Sequence, residues 1–209
     1  MDIIDLNKQT EGGGSGVIIH IVDTGVNKLS ELRDVLTVVP FRGPMIGSTI
    51  GSGDSGTLKS GRNIEVDYSD EVGHGSMMAS IAHRQAPLAE IYAYSAIPDG
   101  MSTYVNEALQ WILDHLDTSK RNIVSMSLAG EGPLDDPYPA AMHDLIKQLV
   151  LKNVAVSVAA GNDGVQRLNR WPSCFQEPIT FSACYGDVAD IKLAGFSTWH
   201  GEVDFTESG

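Results

Sequence analysis

The 209 residues are 42% hydrophobic, enough for one domain with a full core, and no compositional break divides them. Lysine and arginine number 14 against 27 aspartates and glutamates, a formal net charge of -13, and such a field repels phosphate backbones and argues against a nucleic-acid partner. No apolar run reaches membrane-spanning length, and Met1-Asp2-Ile3-Ile4-Asp5 lacks the basic start and apolar stretch of a signal peptide; the expectation is a chain that stays inside the cell or one whose leading segments are absent.

In chain order, the run Gly12-Gly13-Gly14-Ser15-Gly16 has flexible-linker chemistry. Val17-Ile18-Ile19-His20-Ile21-Val22 follows as a short, β-branched buried strand closed by the turn signal Asp23-Thr24-Gly25. From Pro40 to Asp70 the pattern lapses into Gly, Ser and Asp, as in a long surface excursion. Residues 75–84 predict a helix with Met77, Met78, Ile81 and Ala82 on one face. A strand over 91–97 and a helix over 103–116 come next, the helix striped by Val105, Leu109, Ile112 and Leu116. Then follow a strand over 123–128, a helix over 140–151 striped by Met142, Leu145, Ile146 and Leu149, and a strand over 154–159. Later strands are expected over 179–183 and 191–196.

Strand and helix in alternation imply right-handed crossovers and a mostly parallel sheet covered on both faces, which is a doubly wound α/β domain. The two cysteines, Cys174 and Cys184, could pair or remain thiols; a core of this size needs no staple, which favours thiols.

In open parallel sheets, chemistry gathers at the carboxyl ends of the strands. Asp23 ends the first strand, His74 opens a helix in Val72-Gly73-His74-Gly75-Ser76, and Asn162 follows a strand in Ala159-Ala160-Gly161-Asn162-Asp163-Gly164. Singly, each has an ordinary explanation as a turn former, a cap or a turn signal. Together they resemble the subtilisin-like serine protease (subtilase) family. Val22-Asp23-Thr24-Gly25-Val26 resembles its aspartate motif, and Gly73-His74-Gly75-Ser76-Met77-Met78-Ala79 its histidine motif, with Ser76 where Thr is usual. Ser127-Leu128-Ala129-Gly130 is similar to its substrate-binding strand, with Ala129 in place of glycine, and Ala160-Gly161-Asn162 to its oxyanion segment. Trp171-Pro172-Ser173 and Phe196-Ser197 resemble later landmarks. The order Asp, His, Asn is the order of subtilisin.

The resemblance implies a subtilisin-like fold over residues 1–209 and an endopeptidase working by an Asp-His-Ser triad. His74 would move the proton, Asp23 would hold the imidazole, and Asn162 would donate to the oxyanion. Ser127, Leu128 and Ala129 would bind an extended peptide by backbone hydrogen bonds, with Ala160 and Gly161 beside the pocket. It also implies a serine in a Gly-Thr-Ser-like motif at a helix start. No such motif occurs, and Ser208 has only Gly209 after it. The expectation is therefore a domain cut before its nucleophile and inactive by itself. Its implied partners are a peptide or protein substrate and a missing C-terminal segment, without nucleic acid or membrane.

The alternative is a pseudoprotease that binds extended peptides or a partner protein. A flavodoxin-like cofactor domain has only the fold in its favour. No cofactor is expected; calcium often supports this family, and the stretch 67–71 is acidic, but its spacing defines no ligand set. Gly53-Asp54-Ser55-Gly56 spells a chymotrypsin-like serine motif but precedes His74 in an α/β pattern, so it is a coincidence. The glycine run at 12–16 precedes the first strand where a dinucleotide loop would follow it, and no histidine pair has metalloprotease spacing.

Overall fold

The computed structural model describes residues 2–4, 13–27, 29–32, 34–39, 70–98, 100, 104–166, 169–186, 192–199 and 205–208. The predicted strands and helices are present with shifted ends. The strands are β1 (Asp2–Ile4), β2 (Val17–Asp23), β3 (Leu36–Val38), β4 (Glu90–Ser95), β5 (Arg121–Met126), β6 (Gly130–Glu131), β7 (Ala155–Ala159), β8 (Arg170–Trp171), β9 (Ile179–Tyr185), β10 (Lys192–Leu193) and β11 (Phe205–Ser208). The helices are α1 (His74–Gln85), α2 (Val105–Asp114) and α3 (Pro137–Leu151).

Among the described residues nine strands form one sheet, in the order β1-β11-β9-β7-β5-β2-β4-β3, with β10 added antiparallel to β9. Every other pairing in it is parallel, and β6 and β8 make a separate antiparallel pair. β2 is buried on both faces over its last four residues, whereas β5 and β7 alternate buried positions with half-buried or exposed ones.

Two cores divide the sheet's faces. Ile21, Ile91 and Ala93 pack with Ala79 of α1, while Val22, Tyr94, Val124 and Val156 pack with Leu109 and Ile112 of α2 and Met142, Ile146 and Leu149 of α3. The α3 stripe is buried as its spacing predicts. Its ends follow local rules: Pro137 opens it, and Asn153 just past it adopts φ 60° while the Val154 amide donates to the Leu149 carbonyl.

Helix α1 departs from its predicted face. Gly75, Ser76 and Ala79 are buried, whereas Met77 and Ile81 are 53% and 40% exposed. The helix starts so close to the turn after β2 that small residues must face it; Met77 and Ile81 turn outward, while Met78 packs partly against the core.

The hand of one connection also differs from expectation. From β3 to β4, and from β4 to β5, the chain steps the same way across the sheet, yet α1 covers one face and α2 the other. The two connections therefore have opposite hands. Connections through α2 and α3 share face and direction, and the general preference makes them right-handed. The one through α1 is left-handed.

The glycine run is not a loose linker where it is described. The Gly13 carbonyl accepts a hydrogen bond from the Leu88 amide at 2.7 Å, and a Cβ on Gly14 would lie 2.8 Å from that of Ala86. Cys174 and Cys184 are not joined by a disulfide. The expected excursion from Pro40, with the serine motif at 53–56, lies outside the described residues apart from Asp70 at its end, which is buried.

Candidate active site

Asp23 closes β2 at the carboxyl edge of the sheet and is 1% exposed. Its Oδ1 accepts the Thr24 amide at 2.7 Å and lies 2.8 Å from Nδ1 of His74, the first residue of α1. Oδ2 is buried without a hydrogen-bond partner among the described residues. The His74 side chain is 38% exposed. A carboxylate accepts only, so this contact puts the ring proton on Nδ1 and leaves Nε2 free to take another.

The backbone around His74 is held from outside its own helix. Gly73 precedes it at φ 85°, a conformation that favours glycine, and supplies no side-chain cap. Asp70 does the capping instead: Oδ1 accepts from the Gly73 amide and from Thr24 Oγ1, both at 2.7 Å, and Oδ2 accepts from the Ser76 amide at 2.8 Å and Ser76 Oγ at 2.7 Å. Thr24 Oγ1 accepts from the Gly75 amide at 2.9 Å. Burial opposes a charge on Asp70, but the donors on Ser76, Thr24 and Gly73 outweigh it and hold the carboxyl below its ordinary pKa. Of the acidic stretch 67–71, residues 67–69 lie outside the described residues, and the Asp70 carboxylate is occupied by these four protein donors. Among the described residues no group of three or more His, Cys, Asp or Glu is placed to hold a metal.

Asn162 is exposed in the turn after β7, which begins at Gly161 with φ 110°. Thr198 binds this turn on both sides of Asn162: its amide donates to the Gly161 carbonyl at 2.9 Å, and its Oγ1 accepts the Asp163 amide at 2.9 Å. Beyond it, Arg170 grips both carboxylate oxygens of Asp163.

Asn162, Gly161 and Ser127 line two neighbouring cavities. The larger, about 410 Å³, is walled also by Ala160, Ser157 and Ser182, and by Met78 and Ile81 of α1. The smaller, about 240 Å³, is closed by Leu128, Ala129, Asp163 and Arg170. The ladder of β5 ends at Met126, so Ser127, Leu128 and Ala129 continue past it rather than within it.

The structure thus joins Asp23 to His74 directly and gathers Asn162, Ser127, Leu128, Ala129, Ala160 and Gly161 around the cavities. Neither cavity is lined by Asp23 or His74; α1 connects the two groups. Asp70, Thr24 and Thr198 organise the site without having been singled out from the sequence. Asp70 alone carried a local signal, an acidic residue one turn ahead of a helix start. Ser208 lies in β11, a strand, where no helix start presents it.

A doubly wound parallel sheet with a buried aspartate against a helix-borne histidine at its carboxyl edge is the framework of a subtilisin-like hydrolase. The chain belongs to the subtilase family of serine peptidases, whose sequence pattern matches residues 14–198. It is 28% identical over 219 aligned positions to subtilisin-like protease 2 of Trichophyton equinum, covering 94% of this chain and 47% of that protein. The corresponding protein of Arthroderma otae is 26% identical, with 94% and 46% covered. The chain spans about half the length of these relatives. Its fold matches a cold-adapted subtilisin-like serine proteinase with TM-score 0.69 at 22% identity, covering 94% of this chain and 64% of that one. A lanthipeptide protease matches with TM-score 0.68 at 17% identity, with 94% and 56% covered.

Proposed function

We propose that the protein carrying this chain hydrolyses peptide bonds through Asp23, His74 and a serine supplied from outside these 209 residues. The observation that carries the reading is the 2.8 Å contact between His74 Nδ1 and Asp23 Oδ1, made by residues 51 apart in sequence. In this reading an extended peptide lies along Ser127, Leu128 and Ala129 by backbone hydrogen bonds and reaches the cavities beside Ala160 and Gly161. The serine oxygen attacks the scissile carbonyl carbon as Nε2 of His74 takes its proton. The Asn162 side-chain amide donates to the resulting oxyanion. The imidazolium, stabilised by Asp23, returns the proton to the amine as the C–N bond breaks, and water then cleaves the acyl-enzyme by the same relay. The 209 residues alone leave peptide bonds intact, and no metal or cofactor takes part.

A net charge of -13 favours a peptide substrate over nucleic acid. Among the described residues no helix is long and apolar enough to cross a membrane. A peptide-binding pseudoprotease would use the same cavities but would leave the Asp23–His74 pair without a task. The test is to treat the full-length chain with a fluorophosphonate probe. Labelling that disappears in His74→Ala supports the proposal; labelling indifferent to residue 74 refutes it.

A further inference from the structure

Three amides at the start of α1, those of Gly73, Gly75 and Ser76, are held by groups outside the helix. The first residues of a helix lack intrahelical acceptors for their amides, so these bonds decide where the helix begins. Asp70, 4% exposed, supplies two of the three and Thr24 the other. The two suppliers are bonded to each other through Thr24 Oγ1 and Asp70 Oδ1. Asp70 is held in turn by Asn27, whose side chain accepts the Asp70 amide at 2.9 Å and donates to its carbonyl at 3.1 Å. The Asn27 amide also donates to Ser76 Oγ at 2.9 Å.

One buried carboxylate therefore bridges the turn after β2 and the start of α1. Thr24 follows Asp23 in the chain, and His74 lies between the two capped positions, so the same bridge spans the histidine and the aspartate. We propose that Asp70 is a positioning residue: with Thr24 it fastens the first turn of α1 to the end of β2 and thereby sets the Asp23–His74 contact. The inference rests on the reading of that pair as catalytic.

Four donors converge on the two oxygens, and a carboxylate is the side chain that accepts from all of them. Asparagine in its place would turn one oxygen into a donor facing donors. It would also remove a negative charge from the positive end of the helix.

The test is Asp70→Asn in the full chain, followed by NMR, with Asp23→Asn as the reference for a lost contact. The near-UV circular dichroism and the exchange of the Ile91 and Val124 amides should match the parent. The amides of Gly73, Gly75 and Ser76 should exchange about tenfold faster or more, the size set by losing a hydrogen bond to a charged acceptor. The downfield Nδ1–H resonance of His74 should vanish as it does in Asp23→Asn. In the full-length enzyme kcat should fall while KM holds.

A resonance and amides that stay as in the parent would overturn the proposal. Exchange accelerated equally through β4, β5 and α1 would also overturn it, because that marks a general stabiliser. Should Asp70→Asn not fold, Thr24→Val and Thr24→Ser decide. Valine should lose the resonance and serine restore it, and equal behaviour of the two overturns the proposal. A failure of the catalytic reading shows separately, as probe labelling that ignores His74, and leaves the NMR outcome standing.

Discussion

A methyl group on Gly75 would stand 2.1 Å from the carbonyl oxygen of Gly25 and 3.1 Å from Cβ of Asp23. The oxygen is backbone and cannot swing aside, so any side chain at residue 75 pushes the start of α1 off the end of β2. Gly75→Ala should therefore lower stability by about 1–3 kcal/mol, the usual cost of overpacking. It should also part His74 from Asp23. Urea denaturation measures the first effect and the downfield His74 resonance the second; an unchanged midpoint would mean that the approach is looser than the geometry implies.

Asp23→Asn removes the charge that faces the imidazole while keeping the size of the side chain. In the full-length enzyme, kcat for a peptide substrate should fall by a factor on the order of 10⁴, as when the orienting carboxylate of other serine proteases is replaced. A loss within tenfold would remove Asp23 from the proposed mechanism.

Asn162 is exposed, so its replacement by alanine should leave stability within about 0.5 kcal/mol of the parent. Activity should respond far more. In subtilisin, removing the oxyanion asparagine costs about 10²–10³-fold in kcat, and Asn162→Ala should match that loss with KM nearly constant. Steady-state kinetics on a peptide ester decides; a change confined to KM would assign Asn162 to substrate binding alone.

His20 in β2 is buried, with Nδ1 2.8 Å from Tyr94 Oη and Nε2 3.0 Å from Asn122 Oδ1. Burial lowers its pKa, and the bond to Asn122 only partly offsets that. The unfolded chain takes up this proton near pH 6.5, the folded chain at lower pH. The contribution of the neutral ring to stability is therefore complete above about pH 6.5 and is lost as pH falls below it. Urea midpoints should drop between pH 7 and pH 5, and His20→Gln should flatten that slope. Equal slopes would mean that the proton is taken up elsewhere.

Ile112 of α2 is fully buried between the sheet and α3. Ile112→Ala should cost about 2–5 kcal/mol through lost burial and the cavity left behind. Ile81→Ala on the exposed side of α1 should cost far less, and thermal melts of the two should differ by several degrees.

How much of this was legible in advance varies with the range of the interaction. The stripe on α3 and the β-branched run of β2 are local patterns, and both are buried as expected. The motifs holding Asp23, His74 and Asn162 are equally local and were found by their resemblance to those of the subtilase family, in its order. Met77 and Ile81 misled because periodicity identifies an apolar face but not which side of the helix the sheet covers. Asp70 and Thr198 went unmarked because each acts on partners far away in the chain; Thr24 and Asp70 are 46 apart, and Asp163 and Thr198 are 35 apart. The short strands β3 and β8 had too few residues to show a period.

From the amino acids alone follow the elements, their alternation and the side chains able to do the chemistry, since each of these depends on neighbours within a few residues. Packing decided what remained. The left-handed step through α1, the burial of its small residues and the meeting of His74 with Asp23 all belong to the place where β2 and α1 come together, at contacts that include the hydrogen bonds of Asp70, Thr24 and Asn27. Such bonds exist only once β2 and α1 lie side by side, and no local spacing records them.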